Sequence, residues 1–161
     1  MFRNIMTFTS QTAKHLKDVY FGGNWTSVNY KNTLSEIDWK EATTKIEGCN
    51  TIATLVYHTN YYIEAVTKVL KGNPLNAKDE FSFETPPITS EEDWRKLIEK
   101  SLNDAHAFTE LIQKLPKTIL QEDFTDNKYG NYFRNLHGII EHCHYHLGQI
   151  VILKKLITNN A

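Results

Sequence analysis

The sequence predicts an all-α protein, a four-helix bundle with a long crossover between its second and third helices. Three observations carry this. Apolar residues recur at spacings of three and four along nearly the whole chain, the period of a helix face. Four such runs are long, and the last holds an unbroken seam: Tyr132, Leu136, Ile139, Cys143, His146, Ile150, Leu153 and Ile157. Heptad seams of this kind are what helical bundles bury. Between the second and third runs, residues 73–88 hold three of the four prolines, Pro74, Pro86 and Pro87. A loop that long suggests a crossover and leaves room for parallel packing of the helices it joins.

The first helix is expected over about Phe8 to Tyr20, with Phe8, Thr12, His15, Leu16 and Val19 on one face. Gly22-Gly23-Asn24 breaks it. Ser27 is placed to cap a short helix carrying Tyr30, Leu34 and Ile37, and Asp38 to cap a further turn leading to Ala42. Asn50 is the expected N-cap of the second long helix, where Ile52, Leu55, Thr59, Tyr62, Val66 and Val69 step by three and four. Gly72 and Pro74 end it. Ser90 opens the third long helix as a loose capping box with Asp93. Its apolar face is Trp94, Leu97, Ile98, Leu102, Ala105, Phe108, Leu111 and Ile112, and Pro116 stops it.

The chain has 161 residues, expected to form one domain spanning 1–161. A domain of this size buries about 70% of the surface its unfolded chain exposes, so its core needs no staple. With 18 basic and 19 acidic residues the net charge is -1. There is no basic stripe to neutralise phosphates, which argues against nucleic-acid binding. Cys49 and Cys143 form no C-x-x-C pair and no disulfide framework, as expected of a reducing compartment. Arg3 is followed by no apolar leader core, and no run of 18 apolar residues occurs. The expectation is a cytoplasmic protein with no membrane segment.

The segment His142-Cys143-His144-Tyr145-His146 carries the chemistry. Residues four apart on a helix share a face, so His142 and His146 can aim at one point, while His144 between them faces away. Seven histidines make on the order of 0.3 such pairs by chance, so the spacing alone is a weak signal. The position of His146 within the seam strengthens it, because a buried imidazole must hydrogen-bond or ligate. Neutral imidazole suits zinc, nickel, copper and iron, and a catalytic site keeps one position open beside about three protein ligands.

His58, on the inward stripe of the second helix with Leu55, Tyr62, Ala65 and Val69, is the candidate third ligand; His15 is the reserve. The competing reading of His58 is a core histidine bonded to a Tyr hydroxyl. Cys143 reads as a small, inert seam residue. Tyr57, Tyr61, Tyr62 and Tyr145 read as walls, and Gln149 and Glu141 as groups that orient ligands. His-Glu-x-x-His, Gly-rich phosphate loops and Gly-x-Ser-x-Gly are absent.

Leu136 to Ile150, with its His-x-x-x-His pair and Gly148-Gln149, resembles the last helix of the DinB-like superfamily. Ile52 to His58 is similar to that family's second-helix motif, an apolar run ending in a ligand His. Gly22-Gly23-Asn24-Trp25-Thr26-Ser27-Val28 is similar to a Trp-containing stretch that follows helix one in one branch. The resemblance covers nearly the whole chain. It implies a four-helix bundle with a crossover after helix two and a His58, His142, His146 triad binding nickel, zinc or a similar divalent ion. It also implies a homodimer. Some members are thiol transferases or isomerases that use a low-molecular-weight thiol such as bacillithiol or mycothiol; many have no assigned activity.

The expected function is therefore divalent-metal binding. Metal-dependent thiol transfer to a small-molecule electrophile and metal-dependent hydrolysis are the two catalytic forms. The alternative is a non-catalytic metal-binding or stress-response bundle.

Overall fold

The protein is described here from a computed structural model covering residues 6–159; Arg3 lies outside the described residues. The described residues form six α-helices: α1 (Phe8–Phe21), α2 (Tyr30–Ser35), α3 (Trp39–Thr43), α4 (Ile52–Leu70), α5 (Glu91–Lys114) and α6 (Tyr132–Asn159). Four are long. Three 3-10 turns lie in the connections, at Asp79–Phe83, Ile119–Gln121 and Asn127–Tyr129. There is no β-strand among the described residues, only an isolated bridge between Asp123 and Asn131.

Capping explains most of the boundaries. The first N–H groups of a helix have no partner within it, and a side-chain oxygen one residue ahead supplies one. Thr7, Asn29, Asp38, Thr51 and Ser90 do this for α1 to α5. Asp38 and Glu41 form a reciprocal capping box. Two caps differ from expectation. Asn29 rather than Ser27 starts α2, because Ser27 sits at φ 58 inside the preceding turn. Thr51 rather than Asn50 starts α4, a shift of one residue. Gly22, at φ 105, ends α1 in a backbone conformation that side chains resist.

Each long helix packs against two others: α1 and α4 both contact α5 and α6. Leu55 lines a small cavity with Gln149 and Leu153, while Val66 lines a cleft with Gly138 and Ile139, so α4 and α6 run antiparallel. The α6 seam faces inward as expected, with Leu136, Ile139, Cys143, His146, Ile150 and Leu153 buried. On α1 the buried face is Thr9, Thr12, Ala13, Leu16, Val19 and Tyr20. On the face shared by Phe8, Thr12, His15, Leu16 and Val19, Phe8 is 73% exposed and His15 is exposed, while the other three are buried.

Polar anchors fix the short helices to this frame. Trp94 is fully buried and its Nε1–H donates to the Ile37 carbonyl at 2.7 Å, tying α5 to the start of α3. Tyr20 and Tyr30 stack at 4.5 Å, and the Tyr30 hydroxyl donates to the Cys143 carbonyl at 3.0 Å. No helix is long and apolar enough to cross a membrane among the described residues.

Candidate metal centre

Helices α4 and α6 bring three imidazoles to one point. His58 projects from the middle of α4; His142 and His146 project from α6 one turn apart. His142 Nε2 lies 2.9 Å from His58 Nε2 and 3.1 Å from His146 Nε2. One ring nitrogen from each histidine falls within a sphere of mutual distances no larger than 4.8 Å, and no other such cluster occurs among the described residues. His58 and His146 are buried, and His142 is half-buried.

The outer nitrogens decide which way the lone pairs point. The Ser82 hydroxyl donates its proton to the Asp79 carbonyl at 2.6 Å, so it accepts from His58 Nδ1–H at 2.9 Å. His146 Nδ1–H donates to Gln149 Oε1 at 2.7 Å, and Gln149 Nε2 donates to the Tyr145 hydroxyl at 3.2 Å. Both rings are therefore held as the tautomer whose bare Nε2 faces the centre. His142 Nδ1 is buried with no hydrogen-bond partner.

This donor set fits a divalent metal ion. Bare nitrogens of neighbouring imidazoles repel one another at hydrogen-bonding distance, and one proton on His142 Nε2 can satisfy only one of its two neighbours. A cation satisfies all three. Zinc–nitrogen bonds of about 2.0–2.1 Å place tetrahedral ligand nitrogens about 3.3 Å apart, close to the two distances seen.

Burial lowers the basicity of all three rings. The His142 imidazole is pushed down to about 4, first by desolvation and then by His146 and His58. His58 is lowered by burial and by His146, and His146 by burial. Lowered basicity favours the neutral form of each ring, the form that can bind a metal.

Aromatic rings wall the centre. Phe83 stacks on His58 at 4.1 Å, Tyr62 meets the edges of His58 and His142, and Tyr145 meets His146. The Tyr62 hydroxyl donates to Asp79 Oδ1 at 2.7 Å. Its phenol is pushed up to about 12, by burial first and then by Asp79. At neutral pH Tyr62 is a hydrogen-bond donor, not a base. A cleft of 550 Å³ opens on His58 and His142 and runs toward Arg134 and Phe124.

The other histidines stay apart. His144 lies 6.1 Å from His15 across α1 and α6, His106 meets Phe21, and His137 meets Phe133. His15 is thus no reserve ligand: α1 presents it to solvent beside His144. Cys143 is fully buried, its thiol pushed up to about 12 by burial, as an inert seam residue should be. Gln149 orients the His146 imidazole; Glu141 is exposed and bonds to no triad imidazole.

Sequence reasoning missed Ser82, Asp79 and Phe83. They come from the 3-10 turn within the proline-bounded loop, a segment with no helical period. Its one available signal is Phe81 and Phe83, two large apolar residues in a connection that solvent alone would not retain.

Comparisons of the chain with family models, with curated proteins and with solved structures return no match.

Proposed function

We propose that this protein is a divalent-metal-dependent enzyme of the DinB-like type, with His58, His142 and His146 as its metal ligands and zinc or nickel as its ion. The observation that carries the reading is the convergence of three Nε2 atoms, two of them locked as bare donors by Ser82 and Gln149. The proposal includes a four-helix bundle in which the 71–90 segment is the crossover. Two contacts support it. The Trp39 amide donates to Glu91 at the start of α5, and α3 also packs against α4, which begins a few residues later. They favour an arrangement in which both helix starts lie at one end and the chain crosses the length of the bundle between them.

A divalent ion held by His58, His142 and His146 would supply Lewis acidity, lowering the pKa of a thiol or water bound beside them. The chain's residues do the rest. Three neutral imidazoles leave the ion's charge undiminished. Ser82 and Gln149 hold the rings, Phe83 and Tyr62 limit water at the ligands, and the cleft admits a small molecule to the His142 side. Transfer of a small thiol to an electrophile and hydrolysis would call on the same residues.

The test is metal content of protein purified without a His-tag, before and after zinc or nickel addition. About one equivalent is expected, falling below about 0.2 in His58→Ala. Equal metal content in both proteins defeats the triad. Screening bacillithiol, glutathione and water against model electrophiles then separates the catalytic forms. Tight metal binding with no turnover in any of the three leaves the non-catalytic metal-binding bundle as the function.

A further inference from the structure

The cleft before the triad continues along α6. Arg134, Gly138 and His142 step by four residues, so they form one row on the helix, and all three line the cleft. Arg134 Nη1 donates to the Tyr129 carbonyl at 2.9 Å. Among the described residues no carboxylate lies within ion-pair distance of this guanidinium, whereas the other described arginine, Arg95, pairs with Glu91 at 2.5 Å. Most of the Arg134 fork is thus available for a planar anion.

Gly138 lies between the two ends of this row. It sits inside a helix, where glycine is the poorest residue after proline. A Cβ at Gly138 would meet nothing within 4 Å, so packing against the protein does not demand glycine there. Gly138 lines the cleft, whose apolar lining includes Val66, Leu75, Phe124 and Ile139. Eight residues of helix separate Arg134 from His142 by about 12 Å along the axis.

We propose that the cleft takes a two-ended small molecule: a metal-liganding head at the triad, an apolar chain over Gly138, and a carboxylate at Arg134. This deepens the metal reading above and rests on it. The cleft's two acidic residues lie at the triad end. Asp79 already accepts the Tyr62 hydroxyl, and Glu141 precedes His142 and is exposed. Arg134 is the cation of the far end.

The experiment uses the full chain without a tag, loaded with cobalt(II) and titrated with 6-mercaptohexanoate and 6-mercaptohexanol. The two thiols share head and chain and differ in terminal charge. Binding is read from the thiolate-to-cobalt charge-transfer band. The carboxylate is expected to bind about tenfold more tightly than the alcohol. Arg134→Gln removes that difference without changing cobalt affinity. Gly138→Leu weakens both thiols and keeps the cobalt d–d spectrum. Failure to develop a histidine-ligated cobalt spectrum overturns the metal reading and the proposal together. A normal cobalt spectrum with no charge-transfer band, with equal affinities, or with a preference that survives Arg134→Gln overturns this proposal alone.

Discussion

Gln149→Leu tests how the candidate site holds its histidines. Gln149 Oε1 accepts from His146 Nδ1–H at 2.7 Å, which keeps His146 Nε2 bare. Leucine has similar bulk and no acceptor. In the variant the imidazole is free to carry its proton on Nε2, where it can donate to His142 Nε2, 3.1 Å away. The metal-free protein thereby gains a state that cannot bind metal, and binding must reverse it. Losing such an orienting partner typically weakens metal affinity 10–100-fold, about 1.4–2.7 kcal/mol. Competition with a chromophoric chelator measures the affinity, and nitrogen-15 shifts of the imidazoles in the metal-free protein report the tautomer. Gln149→Glu retains an acceptor and should bind zinc at least as tightly as the native chain. Zinc affinity in folded Gln149→Leu within twofold of the native value would refute the orienting role.

Two further outcomes follow from the packing. The unfolded chain's histidines titrate near 6.5, and folded His142 near 4, so between these values the unfolded state binds the extra proton. The metal-free protein should therefore be fully stabilised above about pH 6.5 and lose stability as pH falls toward about 4. Urea midpoints across that window check this, and a slope unchanged in His142→Asn counts against it. Trp94→Phe strips the Ile37 carbonyl of its donor in a fully buried site. The orphaned carbonyl alone should cost about 1–3 kcal/mol, with a cavity contribution added, and a loss below about 0.5 kcal/mol in urea unfolding rules the anchor out.

The helices were legible because their information is local. The three-and-four spacing of α6 marked six of its eight seam residues as buried, and Asp38 with Glu41 named a cap that formed as expected. Local patterns misled where two adjacent residues could serve. Asn50 and Thr51 are both good caps, and only the turn geometry chooses Thr51. Phe8 and His15 shared a helical face with Leu16, yet α1 turns that part of its face to solvent. Helical period says which residues lie together, not how wide the buried stripe is.

By itself, the sequence determined the helical class and the pairing of His142 with His146, since i, i+4 geometry is a property of a single helix. It also singled out His58 as the partner on another helix. Tertiary structure decided the rest. Antiparallel packing of α4 on α6 brings His58 Nε2 to 2.9 Å from His142 Nε2, a contact across 84 residues that no local spacing encodes. The Asp79–Phe83 turn supplies Ser82 and Phe83 from a loop whose conformation depends on the helix beneath it. Side-chain direction and tautomer depend on partners distant in sequence, and folding alone brings those partners together.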